Sequence, residues 1–91
     1  MSIVVRFAPP NLTAEKYDET IRLLEEKGPL PPDGQDYHVC FGTDGELLVS
    51  EIWDSQEQFE AFGERLMPIL EQVGIDPGEP AILQVHNTIK R

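Results

Sequence analysis

Three stretches of strand-like sequence carry apolar side chains on both of their faces, and only two amphipathic helices lie between them to cover one. That mismatch limits what the chain can build. In Ser2–Ala8, Ile3, Val5 and Phe7 alternate with Val4, Arg6 and Ala8, and Pro9 and Pro10 end the run. Strand-like sequence resumes at Tyr37–Gly42, turns at Thr43, Asp44 and Gly45, and returns through Leu47–Trp53, which is the pattern of a β-hairpin closed at an Asp-Gly pair. A last run, Ala81–Ile89, sets Leu83, Val85 and Ile89 against Ile82, Gln84, His86 and Thr88.

The helical signals are equally local. Thr13 offers a side-chain oxygen to the free amides of a helix over Ala14–Lys27, and Leu12 and Tyr17 have the spacing of a hydrophobic staple. Tyr17, Thr20, Ile21 and Leu24 form its buried stripe, while Arg22 lies four residues from both Asp18 and Glu26. Gly28, tolerant of a left-handed cap, and Pro29 stop it; the Pro- and Gly-rich segment 28–36 reads as a surface loop. Asp54 and Ser55 both suit the cap of a second helix, closed by Glu57 or Gln58. Phe59, Phe62, Leu66, Ile69 or Leu70, and Val73 continue its apolar face. Pro68 removes one backbone bond and is expected to kink or split that helix, and Gly74 with Ile75 ends it.

Strand-helix-strand-strand-helix-strand order with right-handed crossovers predicts an α+β, ferredoxin-like fold: a four-stranded antiparallel sheet with two helices on one face, as one domain over residues 1–91. The second sheet face then needs a lid. No further element supplies one, so a homodimer packed sheet against sheet through a two-fold axis is expected, with an exposed apolar groove for another protein as the alternative.

Composition narrows the partners. Seventeen acidic residues against seven basic ones give a net charge of −10, which repels phosphate backbones and anionic headgroups, so neither nucleic acid nor membrane is expected. MSIVVRFAPPN has no basic leader before an apolar run, and no segment has the roughly 20 apolar residues that span a bilayer, so a cytoplasmic protein is expected. Cys40 stands alone and reads as a small buried hydrophobe in a strand.

Hairpin register decides which polar groups meet, because a slip of one residue exchanges the faces. A two-residue turn at Asp44-Gly45 sets His38 opposite Glu51, with Cys40, Val49 and Trp53 on the same face; a three-residue turn sets Tyr37 opposite Glu51 and His38 opposite Ser50. A His-Glu pair beside an aromatic wall is suited to proton transfer. Two quieter readings compete: Glu51 neutralised by Arg6 from a neighbouring strand, and His38 as a satisfied strand histidine. His86 and Asn87, near the end of the last strand, reach His38 only across a dimer, and no short helical His spacing points to a metal. There is no phosphate-binding glycine loop, no Gly-x-Ser-x-Gly elbow and no dinucleotide fingerprint, so no cofactor is expected.

The segment VSEIWDSQEQFEAF, residues 49–62, together with DYHVCFG before the turn, LMPIL in the second helix and VHN in the last strand, resembles the dimeric α/β-barrel superfamily that includes the antibiotic biosynthesis monooxygenase (ABM) domains. The resemblance implies a ferredoxin-like subunit paired through its sheets, with a pocket between sheet and helices. Some members oxidise polyketide-like aromatics without a cofactor, and related ones degrade haem with an asparagine, a tryptophan and a histidine. Trp53 matches the tryptophan; Val49 stands at the asparagine position and Gly63 near the histidine position, against haem degradation.

The combined expectation is a homodimer holding a small apolar or aromatic molecule, with His38 and Glu51 catalytic and Trp53, Arg6, Cys40 and His86 around the ligand. Cofactor-independent monooxygenation is one outcome. An isomerase or cyclase using the same pair, or a non-catalytic binding or interaction module, is the alternative.

Overall fold

A computed structural model describes all residues, Met1–Arg91. The elements are β1 (Ile3–Phe7), α1 (Ala14–Lys27), β2 (Gln35–Thr43), β3 (Glu46–Trp53), α2 (Gln56–Val73) and β4 (Ala81–Gln84). They form one antiparallel sheet in the order β2-β3-β1-β4 with both helices on one face, the α+β ferredoxin-like arrangement that the element order predicts. Neither helix is long and apolar enough to cross a membrane.

Each helix starts where its cap predicts. The Thr13 hydroxyl oxygen accepts the Lys16 amide at 3.1 Å, and the Ser55 oxygen accepts the Gln58 amide at 3.2 Å. A long-range bond reinforces the first: the Asp44 carboxylate, in the hairpin turn, accepts the Ala14 amide at 2.8 Å. Arg22 pairs with Glu19 and Glu26, not with Asp18. At the far end of α1 the expected left-handed cap is replaced by an extended Gly28. The reason lies in α2, where the Arg65 guanidinium donates to the carbonyls of Leu24 (2.7 Å) and Pro29 (3.1 Å), satisfying the helix end from outside.

Pro68 does not split α2, which runs unbroken to Val73. Both Pro68 and Glu64, whose carbonyl loses its partner, are exposed, so water is available to that carbonyl. The amides of left-handed Gly74 and of Ile75 both donate to the Leu70 carbonyl at 2.9 Å and close the helix.

The last strand is shorter than the apolar alternation implies. Gln84 pairs with Ile3, the first residue of β1, and beyond it only the Val85 amide finds a partner, the Ser2 carbonyl at 3.0 Å. With no strand alongside, His86 and Ile89 are exposed, and the tail is held instead by Lys90 on Asp36 at 2.9 Å.

Ile3, Val5, Leu24, Trp53, Phe62 and Ile69 form the core between the helices and one sheet face. The opposite face carries no helix. By register it presents Val4, Val39, Leu48 and Ile52, together with Tyr37, Phe41 and Leu83, which are 51%, 37% and 63% exposed. Only 13 of the 91 residues are buried, which is the consequence of a sheet covered on one side.

Candidate functional site

The hairpin turn has two residues, Asp44 and Gly45, with Thr43 paired to Glu46; that register sets His38 opposite Glu51 and Cys40 opposite Val49, all facing the helices. One residue further back, an irregularity at Asp36 shifts the pairing so that Gln35 lies opposite Trp53. The bulge turns a second polar side chain onto the same face. Gly34 makes this possible: its φ of 88° is left-handed, and a Cβ there would come within 2.5 Å of the Gln58 side chain.

Four side chains converge. Glu51, almost fully buried, accepts the Trp53 indole N–H on Oε1 at 3.0 Å, and on Oε2 the Gln35 amide at 3.1 Å and His38 Nδ1 at 2.6 Å. With the carboxylate an acceptor throughout, Nδ1 carries the ring proton, and Nε2 is left to accept from Tyr17, whose hydroxyl lies 2.7 Å away. The result is a hydrogen-bonded line, Tyr17–His38–Glu51, braced by Gln35 and Trp53. Burial foremost, then the charges of Cys40, Glu51 and Asp18, pushes the Tyr17 phenol up to about 12, so it is protonated at neutral pH.

This line opens on a cavity of about 340 Å³ between sheet and helices, within the range of small-molecule sites. Phe7, Val49, Ile21, Leu24, Leu66 and Leu70 give it apolar walls, and Leu30, Pro31 and Gln35 of the 28–36 segment close part of its rim. Its polar groups are Tyr17, Thr20, Gln35, His38 and Glu51; no lysine, arginine or aspartate lines it. Thr20 is already engaged with the Lys16 carbonyl at 2.8 Å.

The other expected site residues lie elsewhere. Arg6 pairs with Ser50 and is exposed on the helix-free face, so it cannot neutralise Glu51, whose β1 neighbour is Val5. Trp53 is fully buried behind the cavity and acts on Glu51 rather than as a wall. Cys40 faces the helices beside Tyr17 but does not line the cavity; burial, then Asp18, pushes its thiol up. His86 is exposed in the tail. No three His, Cys, Asp or Glu side chains converge as metal ligands would. Tyr17 and Gln35 are the residues that periodicity missed: the first reads as packing in a helical stripe, and the second reaches the site only through the bulge.

No protein-family model matches the sequence, and no curated protein matches it. Solved structures do. The protein YjcS aligns with a TM-score of 0.69 at 13% identity, covering 94% of this chain and 100% of its own. A candidate antibiotic biosynthesis monooxygenase from Deinococcus radiodurans aligns at 0.61 and 15%, covering 100% and 98%. A mutant of SnoaB, a cofactor-independent oxygenase from Streptomyces nogalater, aligns at 0.65 and 14%, covering 99% and 96%. The chain has the fold of the ABM-like proteins. At such identities the likeness is one of backbone, extending from end to end, and the residues of the site must be argued from their own geometry.

Proposed function

We propose that the protein is a homodimer that binds a small, largely apolar organic molecule in the cavity and removes a proton from it, with His38 and Glu51 as the base, in a cofactor-independent oxygenation. The observation that supports this reading is the Glu51-anchored imidazole at the edge of an apolar cavity: the carboxylate fixes ring and tautomer, and the apolar walls keep water from competing for the proton. Deprotonating a carbon acid yields an electron-rich carbanion that reacts with dioxygen directly. For a ring CH₂ the balance is a C=O formed with one oxygen atom, the other leaving as water with the two hydrogens. SnoaB, described as a cofactor-independent oxygenase, lends the reading support through fold alone.

The dimer belongs to the same proposal. The helix-free face carries apolar side chains from all four strands, interrupted by Arg6 and Ser50, and a second copy is the partner that closed symmetry favours.

Anthrone, a neutral carbon acid, is the test substrate, with oxygen uptake as the readout. The His38→Gln variant is expected to lose about 10²–10⁴ in kcat while keeping its circular dichroism. Undiminished uptake by that variant refutes the base assignment. Deuterium exchange into anthrone without oxygen uptake assigns an isomerase that uses the same pair, and binding without either assigns a module.

A further inference from the structure

We infer that Tyr17, not His38, is the group that meets the substrate, and that the substrate is an uncharged, largely apolar molecule carrying an acidic O–H or C–H. This rests on the proposed proton abstraction and states where the proton first goes.

Both nitrogens of His38 are occupied. Nδ1 is 2.6 Å from Glu51 and Nε2 is 2.7 Å from the Tyr17 hydroxyl, so an incoming acid finds no free imidazole nitrogen. The Tyr17 oxygen, in contrast, donates its one proton to His38 and keeps acceptor capacity on the cavity side, where it forms part of the lining. The step balances within the chain. The substrate's proton moves to Tyr17 Oη as the proton already there moves to His38 Nε2. The products are the substrate anion, neutral Tyr17, and an imidazolium whose Nδ1–H remains on the Glu51 carboxylate. No oxidant is consumed in this step. A phenol pushed up to about 12 does not ionise unaided near neutral pH, so it serves as a conduit, accepting one proton while passing another to the ring.

The charge of the substrate follows from the lining. Glu51 is the carboxylate of the cavity, Asp18 and Glu51 both act on Tyr17, and no lysine or arginine is present to receive an anion. A carboxylated or phosphorylated ligand would enter an apolar cavity without a counter-ion, which is strongly unfavourable.

The test uses the whole chain. For Tyr17→Phe with anthrone, kcat is expected to fall by about 10²–10⁴ with KM little changed, because the lost interaction is made in the transition state. If Tyr17→Phe turns over like the wild type while His38→Gln is inactive, the substrate meets His38 directly: this inference falls and the proposed function stands. If His38→Gln also turns over normally, both fall. A second measurement retains the hydroxyl. Fluorotyrosine incorporated at position 17 in a Tyr37→Phe background should show a fluorine NMR shift when naphthol saturates the protein, and no shift overturns the contact. Naphthoate is expected to bind at least about tenfold more weakly than naphthol; equal affinity overturns the charge argument.

Discussion

Replacing Glu51 with glutamine tests the centre of the site. The amide keeps the size of the side chain but exchanges one acceptor oxygen for a donor. If its NH₂ takes the Oε1 position, it confronts the indole N–H of fully buried Trp53, which has no water to turn to. If it takes the Oε2 position, it confronts His38 Nδ1–H and the Gln35 amide. The second arrangement costs less, since Gln35 can flip and His38 can change tautomer, but Nε2 then carries the proton and Tyr17 must accept rather than donate. Three bonds to a carboxylate become bonds to a neutral group, a loss of about 1 kcal/mol for the strongest and less for the others, for a total of about 2 kcal/mol. For a domain of this size that corresponds to a fall in Tm of about 8–16 °C. Glu51→Leu strands all three donors and should cost about 3–5 kcal/mol.

Trp53 is the single tryptophan, so its fluorescence reports unfolding from within the site itself. Urea titrations of wild type and variant at one fixed protein concentration, which keeps any association constant, give the difference directly. A Glu51→Gln variant within about 0.5 kcal/mol of the wild type, with its emission maximum unmoved, would refute the arrangement of donors around Glu51.

Two further outcomes are expected. Because the folded Tyr17 phenol is raised from 10.0 to about 12, its contribution to stability is complete below pH 10 and lost as pH rises through about 12; with Glu51, Cys40 and Asp18 facing it unchanged, Tyr17→Phe should flatten the decline in unfolding free energy across that window, and an identical decline in both proteins would contradict the placement. Ile52→Lys sets a charge at the middle of the helix-free face, opposite Val4; sedimentation should change from two copies to one, and a wild type that sediments as one copy at every concentration refutes the dimer.

The fold was legible because its signals are local and mutually consistent. Thr13 and Ser55 cap helices within three residues of themselves, and Asp-Gly marks the hairpin turn from its own two residues. The pairing of His38 with Glu51 was legible only as one of two registers, since Asp-Gly permits turns of two or three residues. What escaped depends on distant groups. Gly28 needs no left-handed cap because Arg65, far along the chain, donates to the Leu24 carbonyl in the last turn of the helix and to the Pro29 carbonyl just beyond it. Tyr17 has the spacing of a packing residue, and nothing local reveals that His38, on β2, lies within hydrogen-bond reach of its hydroxyl. Arg6 and Glu51 are on adjacent strands but on opposite faces, so strand adjacency alone does not make them a pair. β4 is shorter than its pattern because alternation continues in the sequence after β1 has run out.

Strand β3 joins the site to the proposed interface. Val49, Glu51 and Trp53 face the helices while Leu48, Ser50 and Ile52 face outward, so one strand supplies the anchor of the proton line and the middle of the apolar surface. Its register is therefore constrained from both sides. A slip of one residue would carry Glu51 out to the sheet face, away from Gln35, His38 and Trp53, and turn Ile52 into the cavity, so the site would be lost together with the surface. Covering that face with a second copy penalises every slipped arrangement and holds His38 and Glu51 in register. On this reading association supports the chemistry from behind the sheet without lending it a residue. Ile52→Lys should accordingly weaken turnover only as far as it weakens the fold, with the residual activity of the folded fraction unchanged.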